Sequence, residues 1–366
     1  MMSRPTLPPS SDSRGLWSRI HRIGVIRLLV ACGLGLVELS VMVLFMAWLA
    51  GAIWSDGALW SQWLHWIPSL AVMAGLMGGL VASSLRMVIL RRSRRRRRTS
   101  AIVWLAPLAG VFIVFAAVEH RLWRMTPEKP DQAFTIAHWT ADPANGDTAW
   151  RPALERLADL GADLTIIGDT FISRRSQLLD PLVEANEWTW RIGPFVAATD
   201  LPVLRHRYLV ATDGIWIVRL ELDAKASLGR PLAIDLVDLP SELTRPRAEI
   251  AADVRRLLGE ADVDPPDLVI GDFNMTRGSA SLREAFPGMG HGFSSGGHGY
   301  AATFHRDWPL PLYHIDHVLM SRDFTCPRYD IIDFGIGRHL VQRAWIEGAA
   351  QRNSESESEG GQTRAE

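Results

Sequence analysis

The sequence predicts a layered α/β domain joined to three membrane-spanning helices. Three apolar runs lie in the first third of the chain, at Leu28–Ala50, Ile67–Leu90 and Ala101–Val118. The first two reach the roughly 20 residues that a helix needs to cross the hydrocarbon core of a bilayer. From about Ala133 to Glu347, short apolar runs instead alternate with amphipathic helical patterns. Mixed strands and helices of this kind are typical of an α/β domain built in layers.

The apolar runs have two other interpretations, and both are weaker. Buried core helices of a soluble protein would show a polar face, whereas these runs carry almost no charge. A signal peptide would be shorter and would end in a small-residue cleavage site. Glu38 lies near the middle of the first run, where a charge is costly. It serves either a proton relay or a packing contact between helices, and we favour the packing contact.

The distribution of arginine predicts the orientation of these helices. Arginines precede the first run and fill the connection between the second and third, at Arg14, Arg19, Arg22, Arg27, Arg91, Arg92 and Arg94–Arg98. The connection Ser55–Gln62 has no Lys or Arg. Because positively charged loops stay in the cytoplasm, we expect the N-terminus inside and everything after His120 outside, which is the periplasm in a bacterium. The arginine cluster is also compatible with nucleic-acid binding, but its place between two runs favours a topology anchor near anionic lipid head groups.

Composition divides the chain into five predicted segments. The formal net charge is only −1, but the first third is apolar and rich in arginine while the remainder is more acidic. We predict a basic cytoplasmic N-terminus at 1–27, three transmembrane helices in 28–118, a Pro-containing linker at 119–132, a catalytic candidate domain at 133–347 and a disordered tail at 348–366. The tail is rich in Ser, Glu and Gly without apolar periodicity. With only two cysteines, Cys32 and Cys326, the domain has no disulfide framework.

Within the domain, the pattern of apolar and turn-forming residues predicts individual elements. The predicted strands are Phe134–His138, Asp163–Ile167, Arg191–Ala197, Val203–Ala211, Ile215–Leu222, Leu232–Val237, Leu268–Ile270, Tyr313–Met320 and Ile331–Phe334. The predicted helices are Trp150–Leu160 and Glu242–Leu258.

Two of these strands end in the residues that predict chemistry. One leads into Gly271-Asp272-Phe273-Asn274, and the other contains Ile315-Asp316-His317-Val318. Asp272 and Asn274 flank Phe273, so in extended backbone their side chains share one face. A lone Gly-Asp-Phe-Asn is equally well explained as a turn held by an Asx hydrogen bond. The second motif, around Asp316, favours a functional site over a purely structural turn.

The two motifs resemble the "GDFN" and "IDHV" signatures of the endonuclease/exonuclease/phosphatase superfamily, the metal-dependent phosphodiesterases related to DNase I. A third segment, Gly337-Arg338-His339-Leu340-Val341, is similar to the family's closing Ser-Asp-His motif. The resemblance covers about 215 residues, from 133 to 347. It implies a four-layer α/β sandwich, with two sheets face to face and helices outside.

The resemblance also implies roles for individual residues. Asp272 would orient the attacking water, Asn274 and His339 would contact the phosphate, and Asp316 would support the metal or His339. Asp169 stands where the family has its metal-binding Glu, one methylene shorter. Asp169 and Asp316 are therefore the predicted metal ligands, and carboxylate oxygens suit magnesium or manganese.

Other positions depart from the family pattern. Thr140 replaces an Asn at the end of the first strand, and Asp238 stands at the histidine of an "HLPS"-like stretch. Arg338 stands where an aspartate would orient and charge the histidine, and a nearby guanidinium should lower the pKa of His339 instead.

Two functions follow as hypotheses. The first is a membrane-anchored, metal-dependent phosphodiesterase, phosphatase or nuclease-like hydrolase that acts outside the cytoplasm on a nucleic acid, a nucleotide or a lipid head group. The second is a catalytically impaired relative that binds a ligand or partner at the membrane. The domain has no dense basic patch, which disfavours tight binding of duplex DNA.

Overall fold

The computed structural model describes residues 13–141, 150–168, 176–212, 214–305 and 310–348. These residues divide into two compact units. The first comprises the described residues up to Leu49 together with Ser69–Val114, and the second comprises Ala50–Pro68 and the described residues from Phe115 onward. Residues 50–68, which connect the first two apolar helices, thus belong to the same unit as the α/β domain.

The first unit contains all but the ends of the three predicted apolar helices. The first helix is much longer than the apolar run that predicted it, and the second matches its run closely. They are α1 (Ser13–Trp54), α3 (Ser69–Ile89) and α4 (Arg94–Ile113), and α4 continues as a π-helical turn at Val114–Glu119. All three are long and apolar enough to cross a membrane. Helix α4 begins at Arg94, so most of the arginines between the second and third apolar runs are helical. Glu38 forms an ion pair of 2.9 Å with Arg86, which is the packing contact favoured above.

The second unit is built on two six-stranded sheets. The first sheet has the order β11-β12-β1-β2-β4-β3 and the second has the order β5-β6-β7-β8-β10-β9. The strands are β1 (Phe134–Thr140), β2 (Leu164–Gly168), β3 (Trp188–Ile192), β4 (Phe195–Thr199), β5 (Val203–Thr212), β6 (Ile215–Leu222), β7 (Leu232–Asp238), β8 (Leu268–Asp272), β9 (Gly290–His291), β10 (Asp316–Met320), β11 (Phe324–Ile332) and β12 (Val341–Gly348). Only β1/β2 and β7/β8 are parallel pairs among these described strands.

The helices of this unit are short, with one exception. They are α2 (Leu59–His65), α5 (Trp150–Ala158), α6 (Asp180–Ala185), α7 (Lys225–Leu228), α8 (Arg247–Glu260), α9 (Ala280–Ala285) and α10 (Gly292–Gly296), and a 3₁₀ turn covers Ser176–Leu179.

The buried side chains confirm the predicted four layers. Ile136 and Ile166 of the first sheet pack with Leu236, Ile270 and Val318 of the second, so the main core lies between the sheets. A second cluster holds α5 and α6 against the outer face of the first sheet. A third holds α8 and α9 against the outer face of the second. Helix, sheet, sheet and helix therefore follow one another, as burial of each apolar face requires.

Several predicted elements need correction. The single strand predicted at Arg191–Ala197 is wrong, because Gly193 adopts φ +61° and turns the chain between β3 and β4. The strand predicted at Ile331–Phe334 is the end of the longer β11. The helix predicted from Glu242 begins at Arg247, after Pro246. The predicted tail, apart from Gly348, lies outside the described residues.

Residues 50–68 are held to the α/β domain by buried polar contacts. The Asp56 carboxylate is fully buried at the start of α9. One of its oxygens accepts hydrogen bonds from the N–H groups of Ala280 (2.9 Å) and Ser281 (3.1 Å), and the other accepts one from the Ser279 hydroxyl. Asp56 therefore acts as an N-terminal cap for a helix more than 200 positions further along the chain.

We expect Asp56→Ala to lower the free energy of unfolding by about 2 kcal/mol, because two buried N–H groups lose a charged acceptor. Thermal unfolding of the full-length protein measures the effect. Asp264→Ala removes a carboxylate from an exposed position and should leave the midpoint almost unchanged. Equal midpoints for both variants would contradict the capping role.

The segment after α4 is also bound to the domain. Burial is the main reason that the pKa of His120 falls to about 4, with a smaller contribution from the charge of Arg277. The neutral ring accepts a hydrogen bond of 2.8 Å from the N–H of Ala301 and stacks on Tyr300 at 4.2 Å. Arg277 donates to the carbonyl of Val118 at 2.5 Å. Both chain segments that lead to the apolar helices are thus ordered against the α/β domain.

Candidate active site

The sheet register brings three carboxylates into one row. Asp238 ends β7 and pairs with Asp272 at the end of β8. Asp272 in turn pairs with Asp316, the first residue of β10. Side chains that occupy equivalent positions on neighbouring strands lie close together, so one edge of the second sheet carries a concentrated negative charge.

Gly271 makes this strand end possible. Its φ of +155° lies outside the region that L side chains normally adopt. A Cβ placed on Gly271 would lie 1.7 Å from the carbonyl oxygen of Val237, its partner on β7. Only glycine lets the two parallel strands approach this closely, which explains the residue before Asp272 in the motif.

Asp316 and His339 form the central pair of the site. Both Asp316 oxygens lie close to Nδ1 of His339, at 3.0 and 2.9 Å. The same oxygens accept hydrogen bonds from the hydroxyls of Thr140 (2.6 Å) and Thr303 (2.7 Å). Asp316 and His339 are both buried. A carboxylate that accepts from Nδ1–H fixes the imidazole so that Nε2 faces away from it.

This pairing corrects the expectation drawn from Arg338. The carboxylate partner of His339 comes from Asp316 on another strand, so an aspartate at position 338 is not needed to orient the ring. Thr140, the replacement for the family's Asn, reaches from the first sheet and donates to Asp316 on the second. Two of the departures noted in the sequence are therefore compatible with an ordered site.

The loops around His339 hold its backbone from several sides. The N–H of Leu340 donates to the Thr303 carbonyl (2.7 Å), and the N–H of His305 donates to the Arg338 carbonyl (2.9 Å). The indole of Trp139 donates to the carbonyl of His339 itself at 3.1 Å.

The pKa values of the two neighbouring aspartates move in opposite directions. Burial and then the charge of Asp316 raise the pKa of Asp272 well above its ordinary value, and His339 offsets part of this. Burial by itself also raises the pKa of Asp316, but the charge and the hydrogen bond of His339 outweigh it and the pKa is lowered. Two adjacent carboxyls with separated pKa values are a common arrangement for groups with different acid–base roles.

Asn274 occupies a strained position next to this pair. Its φ of +50° is left-handed, which asparagine tolerates better than most residues. Its N–H donates to Asp272 at 2.9 Å, and its side-chain amide donates to the Leu239 carbonyl at 2.9 Å. The Asx turn expected of this motif is therefore formed, and it places Asn274 beside the row of carboxylates.

A cavity of about 1040 Å³ opens over the row of carboxylates. Its polar lining includes Asp238, Asp272, Asn274, Arg338 and His339. Asp272, Asp316 and His339 each offer one ligand atom within 4.8 Å of the others, so they could hold a metal ion. Of the predicted site residues, Asp272, Asn274, Asp316 and His339 are brought together. Asp169 lies outside the described residues, directly after Gly168, which lines the cavity.

Sequence reasoning missed two buried side chains beside the site. Thr303 donates to Asp316, and none of the three motifs contains it. His138 is fully buried on β1, where burial lowers its pKa to about 4. By contrast, His317 is buried and binds the Met275 carbonyl at 2.8 Å, as expected of a structural residue.

Comparison with known proteins gives structural matches only. No family model and no curated protein matches the sequence. An endonuclease/exonuclease/phosphatase family protein from Bacteroides thetaiotaomicron is 17% identical, with 60% of this chain and 96% of that chain covered and a TM-score of 0.46. A mannosyl-6-phosphatase from the same organism is 17% identical over 58% of this chain and 99% of its own, with a TM-score of 0.44.

A third solved structure is TDP2 of D. rerio, complexed with a single-strand DNA product. It is 13% identical, with 59% of this chain and 99% of that chain covered and a TM-score of 0.46. One of these neighbours is named as a phosphatase and another was solved with DNA. The chain resembles endonuclease/exonuclease/phosphatase proteins in its strand-end motifs and in its two-sheet architecture.

Proposed function

We propose that this protein is a membrane-anchored, metal-dependent phosphoester hydrolase. The observation that carries the proposal is the buried Asp316–His339 pair beside Asp272, at the floor of an open cavity. Packing alone does not account for it, since burying neighbouring carboxylates is costly without a compensating partner.

The donor set suits a hard divalent cation. The described cluster offers carboxylate oxygens in a site where burial and mutual repulsion disfavour negative charge, and a cation would reverse that penalty. Asp169 and Asp316 would hold magnesium or manganese. Asp316 accepts hydrogen bonds from Thr140, Thr303 and His339, which leaves one of the roughly four acceptor sites of its carboxylate for a cation. When bound, the cation would supply Lewis-acid stabilisation of the phosphate charge.

The chain's own residues then have distinct tasks. Asp272 orients the attacking water and takes up its proton, a role that fits its raised pKa. With a proton on both ring nitrogens, His339 donates from Nε2 to one phosphate oxygen, and Asn274 donates to another. The bond from the water oxygen to phosphorus forms, the ester P–O bond breaks, and the leaving oxygen takes up a proton from solvent in the open cavity. Asp316 positions His339 through Nδ1.

A panel of phosphomonoesters and phosphodiesters tests the proposal on the full-length protein in detergent. We expect hydrolysis of at least one ester class with magnesium or manganese, and its loss with a chelator. Addition of metal should also raise the melting temperature, because binding to the folded state stabilises it by mass action. Absence of both turnover and a metal-induced shift would contradict the proposal.

The second candidate is a ligand-binding domain without efficient turnover. Arg338 and Asp238 favour it, because both line the cavity at positions where the family has other residues. The same panel separates the two functions. A phosphoester that raises the melting temperature but is not consumed would identify a binding site.

We also propose that the α/β domain lies outside the cytoplasm. The arginine distribution supports this orientation. A reporter that is active only outside the cytoplasm should be active when fused after residue 130 and inactive when fused within Arg91–Arg98. The opposite pattern would overturn the orientation and leave the chemistry of the site untouched.

A further inference from the structure

The cavity has a second wall that differs in character from its acidic floor. Trp63 and Trp66, from residues 50–68, line it together with Phe195, Trp216, Phe304 and Tyr313. The lining therefore combines carboxylate, imidazole and guanidinium groups with aromatic rings, and the Phe304 ring lies 4.7 Å from that of His339. A cavity lined in this way fits an amphiphilic ligand better than a uniformly polar one.

The aromatic wall is fixed in place by hydrogen bonds. The Gln62 side chain donates to the Leu243 carbonyl (3.1 Å) and accepts from the N–H of Arg247 (2.8 Å). The Tyr313 hydroxyl donates to the carbonyl of Trp66 at 3.1 Å, and the two rings lie 5.3 Å apart. The wall is thus preorganised for a ligand.

The segments that lead to the apolar helices expose large apolar side chains. Trp60 and Trp63 are about half exposed, at 57% and 48%. Trp123 and Met125, in the segment after α4, are 64% and 87% exposed. These residues flank the apolar helices in the sequence, where tryptophan is typical of the lipid–water interface. Trp63 belongs both to this exposed set and to the cavity.

The charges of the cavity disfavour a polyanion. Its described lining contains Asp238 and Asp272 but a single arginine, Arg338. Nucleic acids bind through many phosphate contacts with basic side chains. A ligand with one phosphate group and an apolar body fits the cavity better.

We propose that the site takes a phospholipid from the surrounding bilayer, with its phosphate at Asp272 and His339 and the start of its acyl chains against Trp63 and Trp66. This inference rests on the proposed function for turnover, but lipid binding is separable from it.

The inference is tested by measuring how tightly two lipid probes bind to the full-length Asp272→Asn variant in the presence of magnesium. This substitution suppresses turnover, so the probes are not consumed. The probes are dihexanoylphosphatidylglycerol and its deacylated form, glycerophosphoglycerol, with affinity read by calorimetry or thermal shift. We expect the acylated probe to bind at least about tenfold more tightly, since each buried methylene adds favourable free energy. Trp63→Ala and Trp66→Ala on this background should reduce the ratio several-fold. Trp60→Ala removes an exposed tryptophan that does not line the cavity, so the ratio of the two affinities should stay unchanged.

The outcomes separate the two proposals. Equal affinity for both probes, no measurable binding of the acylated probe, or a ratio unchanged by Trp63→Ala and Trp66→Ala would overturn the lipid inference. If Trp66→Ala lowers the melting temperature, the conclusion is drawn from Trp63→Ala alone. Trp63 is half exposed, so its removal should not destabilise the fold. Selective lipid binding without hydrolysis by the wild-type protein would overturn the proposed function alone. Hydrolysis of soluble esters without acyl-chain selectivity would overturn the lipid inference alone.

Discussion

Asp272→Asn is expected to lower kcat/KM for the best phosphoester by at least about 10²–10³-fold, the usual cost of losing one preorganised group in an active site. The amide keeps the shape of the side chain and accepts the hydrogen bond from Asn274, but it neither takes up a proton from water nor binds a cation as a carboxylate does. Steady-state kinetics on the full-length protein measure the loss. Asp159→Asn changes an exposed carboxylate and should leave kcat/KM unchanged.

The same substitution should stabilise the protein in a chelator. The folded pKa of Asp272 is raised, so the protonated form is favoured in the folded state. Below the ordinary pKa of an aspartate, the carboxyl is protonated in both states and costs nothing. As the pH rises through the folded pKa, the wild-type protein must carry a buried charge and loses stability. The melting temperature of Asp272→Asn should therefore exceed that of the wild type at neutral pH, and the difference should vanish under acid conditions.

Equal activity of Asp272→Asn and the wild type would remove Asp272 from the chemistry. A lower melting temperature of the variant at neutral pH would show instead that Asp272 stabilises the fold as an ionised group.

Gly271→Ala is expected to destabilise the second unit by about 3–5 kcal/mol. Destabilisation this large is typical of substitutions that overpack the core or strain the backbone. The new methyl would overlap the Val237 carbonyl at 1.7 Å and force a φ of +155° on a residue with a side chain. Strands β7 and β8 would have to separate where Asp238 and Asp272 are paired. We expect a fall of about 10 °C in melting temperature together with loss of activity.

Gly259→Ala provides the matched control. Gly259 lies in α8, is exposed and has no atom within 4 Å of an added Cβ. Alanine there should raise the stability by about 0.5–1 kcal/mol, because it restricts the unfolded chain and favours helix. Similar midpoints for the two variants would contradict the close approach of β7 and β8.

The parts of the fold that sequence predicted best are those whose signal is local. The continuous apolar runs before Asp272 and around Val318 are buried strands, as their composition predicts. The turn at Gly193 was missed although Gly193-Pro194 is a common turn dipeptide, because apolar residues continue on both sides of it. The order of the sheets needed the structure, since periodicity does not specify partners.

The sequence predicted those parts of the site that lie on a single strand. It did not predict the contacts between residues on different strands. Gly271, Asp272 and Asn274 are near neighbours in sequence, and their shared strand end follows from the pattern. The Asp316–His339 pair joins residues 23 positions apart, and Thr140 is 176 positions from Asp316. No local property of Gln62 or Trp66 indicates that these residues contact a domain whose partners lie 181 and 247 positions later.

The cap that Asp56 places on α9 has a consequence for biosynthesis. Asp56 leaves the ribosome 223 residues before Ser279, its hydroxyl partner. In the orientation proposed above, residues 50–68 are already across the membrane when the second sheet is still being made. Helix α9 is therefore capped by a segment that was synthesised well before it. A variant that begins at residue 133 would lack this cap, so we expect the α/β domain to be less stable without residues 50–68.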